Sequence, residues 1–418
     1  MTRLTTIALL GLAACTSPAS RPAGEEIVLP GPLVLGDGGA VADAATWTGR
    51  RRGEILELFR GHVYGRAPAP VRIGFEVLEE SAQALAGRAI RRQVRIRLGD
   101  APGAPSFDLL LYAPRSEEPA PAFLGLNFAG NHSVQPDPQI LLSESWIRED
   151  PASGVVGNRA TEASRGTAAS RWPVEEIVGR GYAVATAYYG DIDPDYDDGF
   201  RNGVHALGYD SAPQPPLGER WGSIAAWAWG LSRALDYLER DPSVDAGRVA
   251  VMGHSRLGKT ALWAGAEDER FALVISNDSG CGGAALSRRR VGETVKQIND
   301  RFPHWFADNF TRYDDREHEL PVDQHMLLAL VAPRPLYVAS ATEDEWADPR
   351  GEFLSCVHAS PVYELLGQPG LGAAEPPAPD APLTMGRIGY HIRSGAHDVT
   401  PWDWQAFLDF ADRHLRAP

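Results

Sequence analysis

Lysine is nearly missing from this chain. Of 40 basic residues in 418 positions, only Lys259 and Lys296 are lysines. A coding bias towards arginine accounts for the shortage as a whole, yet each surviving lysine is rare enough to place individually. Positive charge is also short, with 40 bases against 55 acids giving −15. That sign disfavours a nucleic-acid partner, which needs a basic face, and none is expected. Cysteine stops at three residues, Cys15, Cys281 and Cys356, so at most one bridge is available. Long apolar runs are absent as well. The apolar stretch at 7–12 is far below the roughly 20 residues a membrane-spanning helix needs, and no later run reaches that length. What is present is ordinary globular composition, 44% hydrophobic and 23% charged, which argues against wholesale disorder. Gly 43 and Pro 33 imply many loops, and the length implies one large domain or two modest ones.

The amino terminus reads as an address. Arg3 precedes the short apolar stretch, and Leu12-Ala13-Ala14-Cys15 follows it. This resembles a lipoprotein signal in which Cys15 becomes the lipidated first residue, the alternative being a plain secretory signal. Either way the chain is expected outside the cytoplasm, as a periplasmic or outer-membrane lipoprotein or a secreted protein. Membrane attachment is expected only through lipid on Cys15. Loss of residues 1–14 removes Arg3 and no acid, so the mature charge is −15 − 1 = −16. Export permits disulfides, and Cys281 and Cys356 are the pair left for one.

Residues 15–40 are Pro/Gly-rich and read as a tether leading into a single catalytic domain over 41–418. The stretches 71–78, 89–98 and 107–112 carry strand patterns. Apolar strands are then expected at 122–128, 182–188, 248–252, 273–276, 336–340 and 388–392. Helices are expected at 223–239, 259–266 and 402–415. Apolar strands alternating with helices imply an α/β fold, a mainly parallel sheet covered on both faces as a three-layer sandwich. The stretches 130–180, 190–220 and 367–384 read as loop insertions.

The segment Gly253-His254-Ser255-Arg256-Leu257-Gly258-Lys259 joins an expected strand to an expected helix, the setting of a nucleophile elbow. The second glycine falls three positions after Ser255 rather than two, so the plain G-x-S-x-G pattern is not met. A serine hydroxyl needs a base, and the base needs an orienting acid. In this arrangement the chain order is Ser, acid, His. His397, in Gly395-Ala396-His397 after the last strand, is the expected base. The acid is expected after the penultimate strand, where Asp344 is best placed among Glu343, Asp344, Glu345 and Asp348. Asp278, ending the strand before, is a second candidate.

Gly253 to Lys259, Asn277-Asp278-Ser279-Gly280-Cys281-Gly282-Gly283, Trp346-Ala347-Asp348-Pro349 and Gly395-Ala396-His397 together resemble the bacterial glucuronoyl esterases of carbohydrate esterase family 15. The resemblance implies an α/β-hydrolase that cleaves esters between 4-O-methyl-D-glucuronic acid of glucuronoxylan and lignin alcohols, without a metal or other cofactor. It places Ser255 as nucleophile, His397 as base and Arg256 in the oxyanion hole. It places Lys259, Glu293 and Trp346 as substrate-binding residues. At the position where many members carry Glu this chain has Asp278, so the acid assignment stays open, with Asp344 favoured as main orienter and Asp278 assisting. Fungal members flank the triad with a disulfide, whereas here those neighbours are His254 and Asp398.

A −16 protein is expected to hold the anionic uronate product weakly apart from the local pull of Arg256. The acids Asp191, Asp193, Asp195, Asp197 and Asp198 suggest a calcium loop. Counted from Asp193, however, the sixth and twelfth positions are Asp198 and Val204, where an EF-hand needs Gly and Glu. The stretch reads instead as a solvated acidic loop near the site. A monomer is expected. Two other functions stay open, another carboxylic ester hydrolase such as an acetyl xylan esterase, and a catalytically silent carbohydrate-binding lipoprotein.

Overall fold

The computed structural model describes residues 27–68, 71–207 and 215–416. The signal peptide expected at 1–14 and the lipid site at Cys15 lie outside the described residues. Among the described residues nine strands form one sheet: β1 (Ile73–Gln83), β2 (Ala89–Leu98), β3 (Ser106–Pro114), β4 (Ala120–Asn127), β5 (Ala183–Tyr188), β6 (Val244–His254), β7 (Leu273–Asn277), β8 (Leu336–Ala341) and β9 (Ile388–Arg393). Their spatial order is β1-β2-β3-β5-β4-β6-β7-β8-β9. β1, β2, β3 and β5 pair antiparallel, and every pair from β5 to β9 is parallel.

The apolar strands have their cause in this layout. Every residue of β4, β5, β7 and β8 is buried. A strand covered on both faces has no solvent side to alternate with, so it reads as a continuous apolar run. Alternation reappears as a choice between two cores. In β6, Val249 and Val251 enter one apolar cluster and Ala250 and Met252 the other. The first cluster is roofed by α1 (Ser223–Leu238), α2 (Arg256–Glu267) and α3 (Pro349–Leu365), through Trp227, Leu262 and Phe353. The second is roofed by α4 (Pro401–Leu415), through Trp404 and Phe407. This is the expected three-layer α/β sandwich.

The described part of the lead-in segment is docked. Arg51 donates to the carbonyls of Gly31 and Pro32, and His325 Nε2 lies 2.9 Å from the Pro30 carbonyl. Within the 130–180 insertion, Val155–Val156 and Arg159–Ala160 form a two-stranded ribbon. The proposed Cys281–Cys356 bridge is not formed: both are separate buried thiols. The chain leaves the sheet centre at β4, adds β5 on one side, and returns to place β6 on the other. Such a reversal opens a crevice at the carboxyl ends of the strands, where α/β proteins bind ligands.

Candidate active site

β6 ends at His254, and α2 begins at Arg256. Ser255 between them has φ 58° and ψ −128°, a strained setting for a side-chain-bearing residue. Its N–H donates to the Asn277 carbonyl at 2.9 Å. Its carbonyl accepts from the N–H groups of Gly258 at 2.8 Å and Lys259 at 3.2 Å. A Cβ on Gly253 would stand 1.9 Å from the Leu257 carbonyl oxygen, so the turn closes only with glycine there. Gly258 lies where a Cβ would meet Ser279 Cβ at 3.0 Å and the Gly253 oxygen at 3.2 Å. The unusual glycine spacing thus follows from α2 lying close against both β6 and the 277–279 turn.

His397 rides on the short loop between β9 and α4. Buried Arg393 shapes that loop, donating to the carbonyls of Ala396 and Asp398 at 2.7 Å each and to Asp403 Oδ2 at 2.9 Å. Asp403 also caps α4 through Thr400. His397 Nδ1 lies 2.6 Å from Oδ2 of buried Asp344, on the loop after β8. Behind it sits buried His254, whose ring centroid is 4.5 Å from that of His397. Burial holds His254 well below the ordinary histidine range, so it is neutral.

Asp278 occupies a second position beside the histidine. Its carboxylate oxygens, those of Asp344 and the His397 nitrogens include atoms within 4.8 Å of one another. Asp278 Oδ2 accepts from the Asp398 N–H at 3.3 Å and lies 3.6 Å from Arg393 Nη2, while Oδ1 is buried with no hydrogen-bond partner among the described residues. Burial, with the neighbouring carboxylates of Glu352 and Asp344, pushes its carboxyl well above the usual range. The structure therefore brings both candidate acids to the histidine and gives the Nδ1 hydrogen bond to Asp344.

These groups open onto a cleft of about 330 Å³ that also holds Arg256, Lys259, Glu293 and Trp346. Lys259, one turn after Ser255, is buried, and its Nζ donates to the Ser279 carbonyl. Burial lowers its pKa, and the Glu293 carboxylate works against that shift. Glu293 is pinned by its N–H to the Trp346 carbonyl at 2.9 Å. Gly292 permits that approach at φ +67°, since a Cβ there would fall 2.2 Å from the same carbonyl oxygen. Trp346 is 47% exposed, an apolar surface at the cleft wall. Lys296, by contrast, is an exposed partner of Asp300 one helical turn away.

Two functional neighbours escape sequence reasoning. Glu352, on α3, is fully buried. Its Oε1 accepts from the N–H groups of Ser279 at 2.8 Å and Gly280 at 2.9 Å, and its Oε2 from Ser340 at 2.6 Å. It thereby holds the turn that Lys259 contacts. Burial pushes its carboxyl up to about 7. The second is Asp195, and it corrects the expectation of a solvated acidic loop. Asp193 and Asp195 are buried, and Asp195 Oδ2 accepts from Arg256 Nη1. Tyr188, Tyr189 and Tyr196 flank these acids in the sequence, but three tyrosines do not tell a packed segment from a wet one.

The central parallel sheet and the serine on a tight strand-to-helix turn define an α/β-hydrolase, with histidine and acid supplied after the last two strands. A family model for fungal glucuronyl esterases matches residues 217–367. Carbohydrate esterase MZ0003, from an unknown prokaryotic organism, is 52% identical over 388 residues, covering 93% of this chain and 89% of that one. The solved structure of a promiscuous CE15 esterase from a marine bacterial metagenome superimposes with a TM-score of 0.89 at 51% identity, covering 93% and 98% of the two chains. The glucuronoyl esterase of Solibacter usitatus gives a TM-score of 0.87 at 49% identity over the same shares. The chain belongs to carbohydrate esterase family 15, the glucuronoyl esterases, and is a carboxylic ester hydrolase.

Proposed function

We propose that this chain hydrolyses the ester between 4-O-methyl-D-glucuronic acid of glucuronoxylan and lignin alcohols through a serine acyl-enzyme. The observation that carries this reading is the buried Lys259 ammonium beside Glu293 on the wall of the cleft that holds Ser255. An enzyme for small acyl esters has no use for a buried ammonium with a carboxylate nearby there. A uronoyl ester carries ring hydroxyls next to the reacting carbonyl, and ammonium and carboxylate groups supply donors and acceptors for them. Trp346 offers the flat apolar surface that a sugar ring covers.

In the proposed mechanism Ser255 Oγ attacks the uronoyl carbonyl and His397 Nε2 takes its proton. The Nδ1 bond to Asp344 fixes the tautomer and stabilises the imidazolium. The Arg256 main-chain N–H and guanidinium face the developing oxyanion, where one lost donor costs about 2.7–4 kcal/mol. The tetrahedral intermediate collapses, and the alcohol leaves with the proton from His397. Water then attacks the acyl-enzyme, its proton passing to His397 and on to Ser255 Oγ, and the uronic acid is released. Asp278 assists by holding the Asp398 N–H, and so the histidine loop. The residues over 41–418 act as one catalytic domain and a monomer, exported and tethered through lipid on Cys15.

Hydrolysis of benzyl glucuronate compared with 4-nitrophenyl acetate tests the reading. Cleavage of the uronoyl ester with a marked preference supports it. Activity on the acetate alone assigns the chain to small-acyl ester hydrolysis, and activity on neither points to a silent carbohydrate-binding protein.

A further inference from the structure

Asp195 has no exposed side-chain surface, so it cannot touch a substrate. Both of its carboxylate oxygens are nevertheless fully engaged. Oδ1 accepts from His304 Nε2 at 3.0 Å and from Trp305 Nε1 at 2.8 Å. Oδ2 accepts from the Tyr189 hydroxyl at 3.0 Å and from Arg256 Nη1, with Arg148 Nη2 at 3.5 Å. These hydrogen bonds and the Arg256 charge hold the carboxyl far below the usual carboxylate range despite its burial. Asp195 is therefore a fixed anion at every working pH.

Arg256 and Trp305 are the partners that line the reaction cleft, and of the two only Arg256 carries charge. Its guanidinium carbon lies 4.7 Å from the Trp305 ring centroid and 5.5 Å from that of Phe302. An arginine side chain has many rotamers, and an oxyanion donor works only if it is already in place when charge develops. The guanidinium is packed against aromatic rings, its Nη1 is bound to Asp195, and Trp305 belongs to both restraints.

We infer that Asp195 is a positioning residue for catalysis: it acts through Arg256, holding the guanidinium where the oxyanion forms. The inference rests on the role proposed above for Arg256, and it extends the site to a segment outside the Ser-His-Asp set. Asp195 forms no bond to substrate and exchanges no proton. Its contribution belongs to kcat, because the restraint matters most when the carbonyl oxygen becomes anionic.

A double-mutant cycle tests it, with kcat and KM measured on benzyl glucuronate and fold monitored by near-ultraviolet circular dichroism. Asp195→Asn should lower kcat by about 10-fold or more and change KM by less than about 3-fold, as expected for a misplaced oxyanion donor. In an Arg256→Ala background the same substitution should change kcat by less than about 2-fold. Tyr189→Phe removes one hydrogen bond from Asp195. It should lower kcat by about 5-fold in the wild type and not at all in Arg256→Ala, which keeps the test open if Asp195→Asn does not fold. Equal losses in both backgrounds, or full kcat in folded single variants, overturn the inference and leave the oxyanion role of Arg256 standing. Full kcat in Arg256→Ala overturns both. If only 4-nitrophenyl acetate is cleaved, the cycle is run on that ester, whose oxyanion has the same need. The substrate reading then fails separately from the positioning role.

Discussion

Removing the Asp344 charge should cost far more activity than removing that of Asp278. In the proposed mechanism His397 accepts the serine proton and becomes an imidazolium with its Nδ1 2.6 Å from Asp344 Oδ2. Taking the charge centres as about 4 Å apart gives about 4 kcal/mol at an effective dielectric of about 20. His397 is 42% exposed, and water on that side cuts the figure to about 2–4 kcal/mol. At 1.36 kcal/mol per decade, Asp344→Asn should lower kcat by about 30- to 1,000-fold. Asp278 presents a different balance. Its carboxyl is pushed well above the usual range, so asparagine replaces a group that already resists ionisation. Asparagine keeps one acceptor oxygen for the Asp398 N–H at 3.3 Å, so the loss is at most about 1 kcal/mol or about 5-fold. The assay is steady-state kcat on benzyl glucuronate for both variants, with circular dichroism to verify folding. A larger loss in Asp278→Asn than in Asp344→Asn would refute the reasoning and make Asp278 the main orienting acid.

Glu352→Gln should alter the pH dependence of stability. A carboxyl raised from 4.5 to about 7 stabilises the fold below about pH 4.5, and that contribution is lost as pH rises through about 7. At 1.36 kcal/mol per pH unit the span is about 3 kcal/mol, so thermal melts should show the wild type losing more than the variant across it. Gly253→Ala should lower the melting temperature and soluble yield together, because its methyl would stand 1.9 Å from the Leu257 carbonyl oxygen. Relieving that overlap costs on the order of 3 kcal/mol or more, and an unchanged melt would refute the packing argument. Thiol titration in denaturant without reductant should find both Cys281 and Cys356 free, and reductant should leave the melting temperature unchanged.

The parts of this site that were legible in the sequence are those whose cause is local. Ser255 needs a strand, a helix and small neighbours within a few positions, and all three leave marks in one short segment. Asp344 and His397 are placed by chain order, the first after β8, a fully buried strand, and the second after the edge strand β9. Asp195 leaves no such mark. Only its partner Tyr189 is near in the chain, while Arg256, His304 and Trp305 lie 61, 109 and 110 positions away, so its burial is decided by tertiary packing. Glu352 fails for the same reason: it sits on a helix where acids normally face water, and its donors come from a turn 72 and 73 positions earlier. The Cys281–Cys356 expectation came from parity, and parity says nothing about where two side chains point.

Lysine 259 shows what the scarcity of that residue type conceals. An arginine-rich chain would place arginine wherever a cation suffices, as it does at 256, where a planar fork can meet a carboxylate and lie on aromatic rings. At 259 the requirement differs. The side chain leaves α2 where the helix lies tight against the 277–279 turn, and its charge must end inside the protein, against the Ser279 carbonyl. A compact ammonium satisfies one acceptor there and keeps two further N–H donors on a rotatable head. A guanidinium is larger, planar and fixed in its donor directions. The residue type is thus selected by the geometry of a close helix-to-turn approach. The same approach explains the glycine at 258, so one packing constraint sets both the elbow's spacing and the chemistry of the cation beside it.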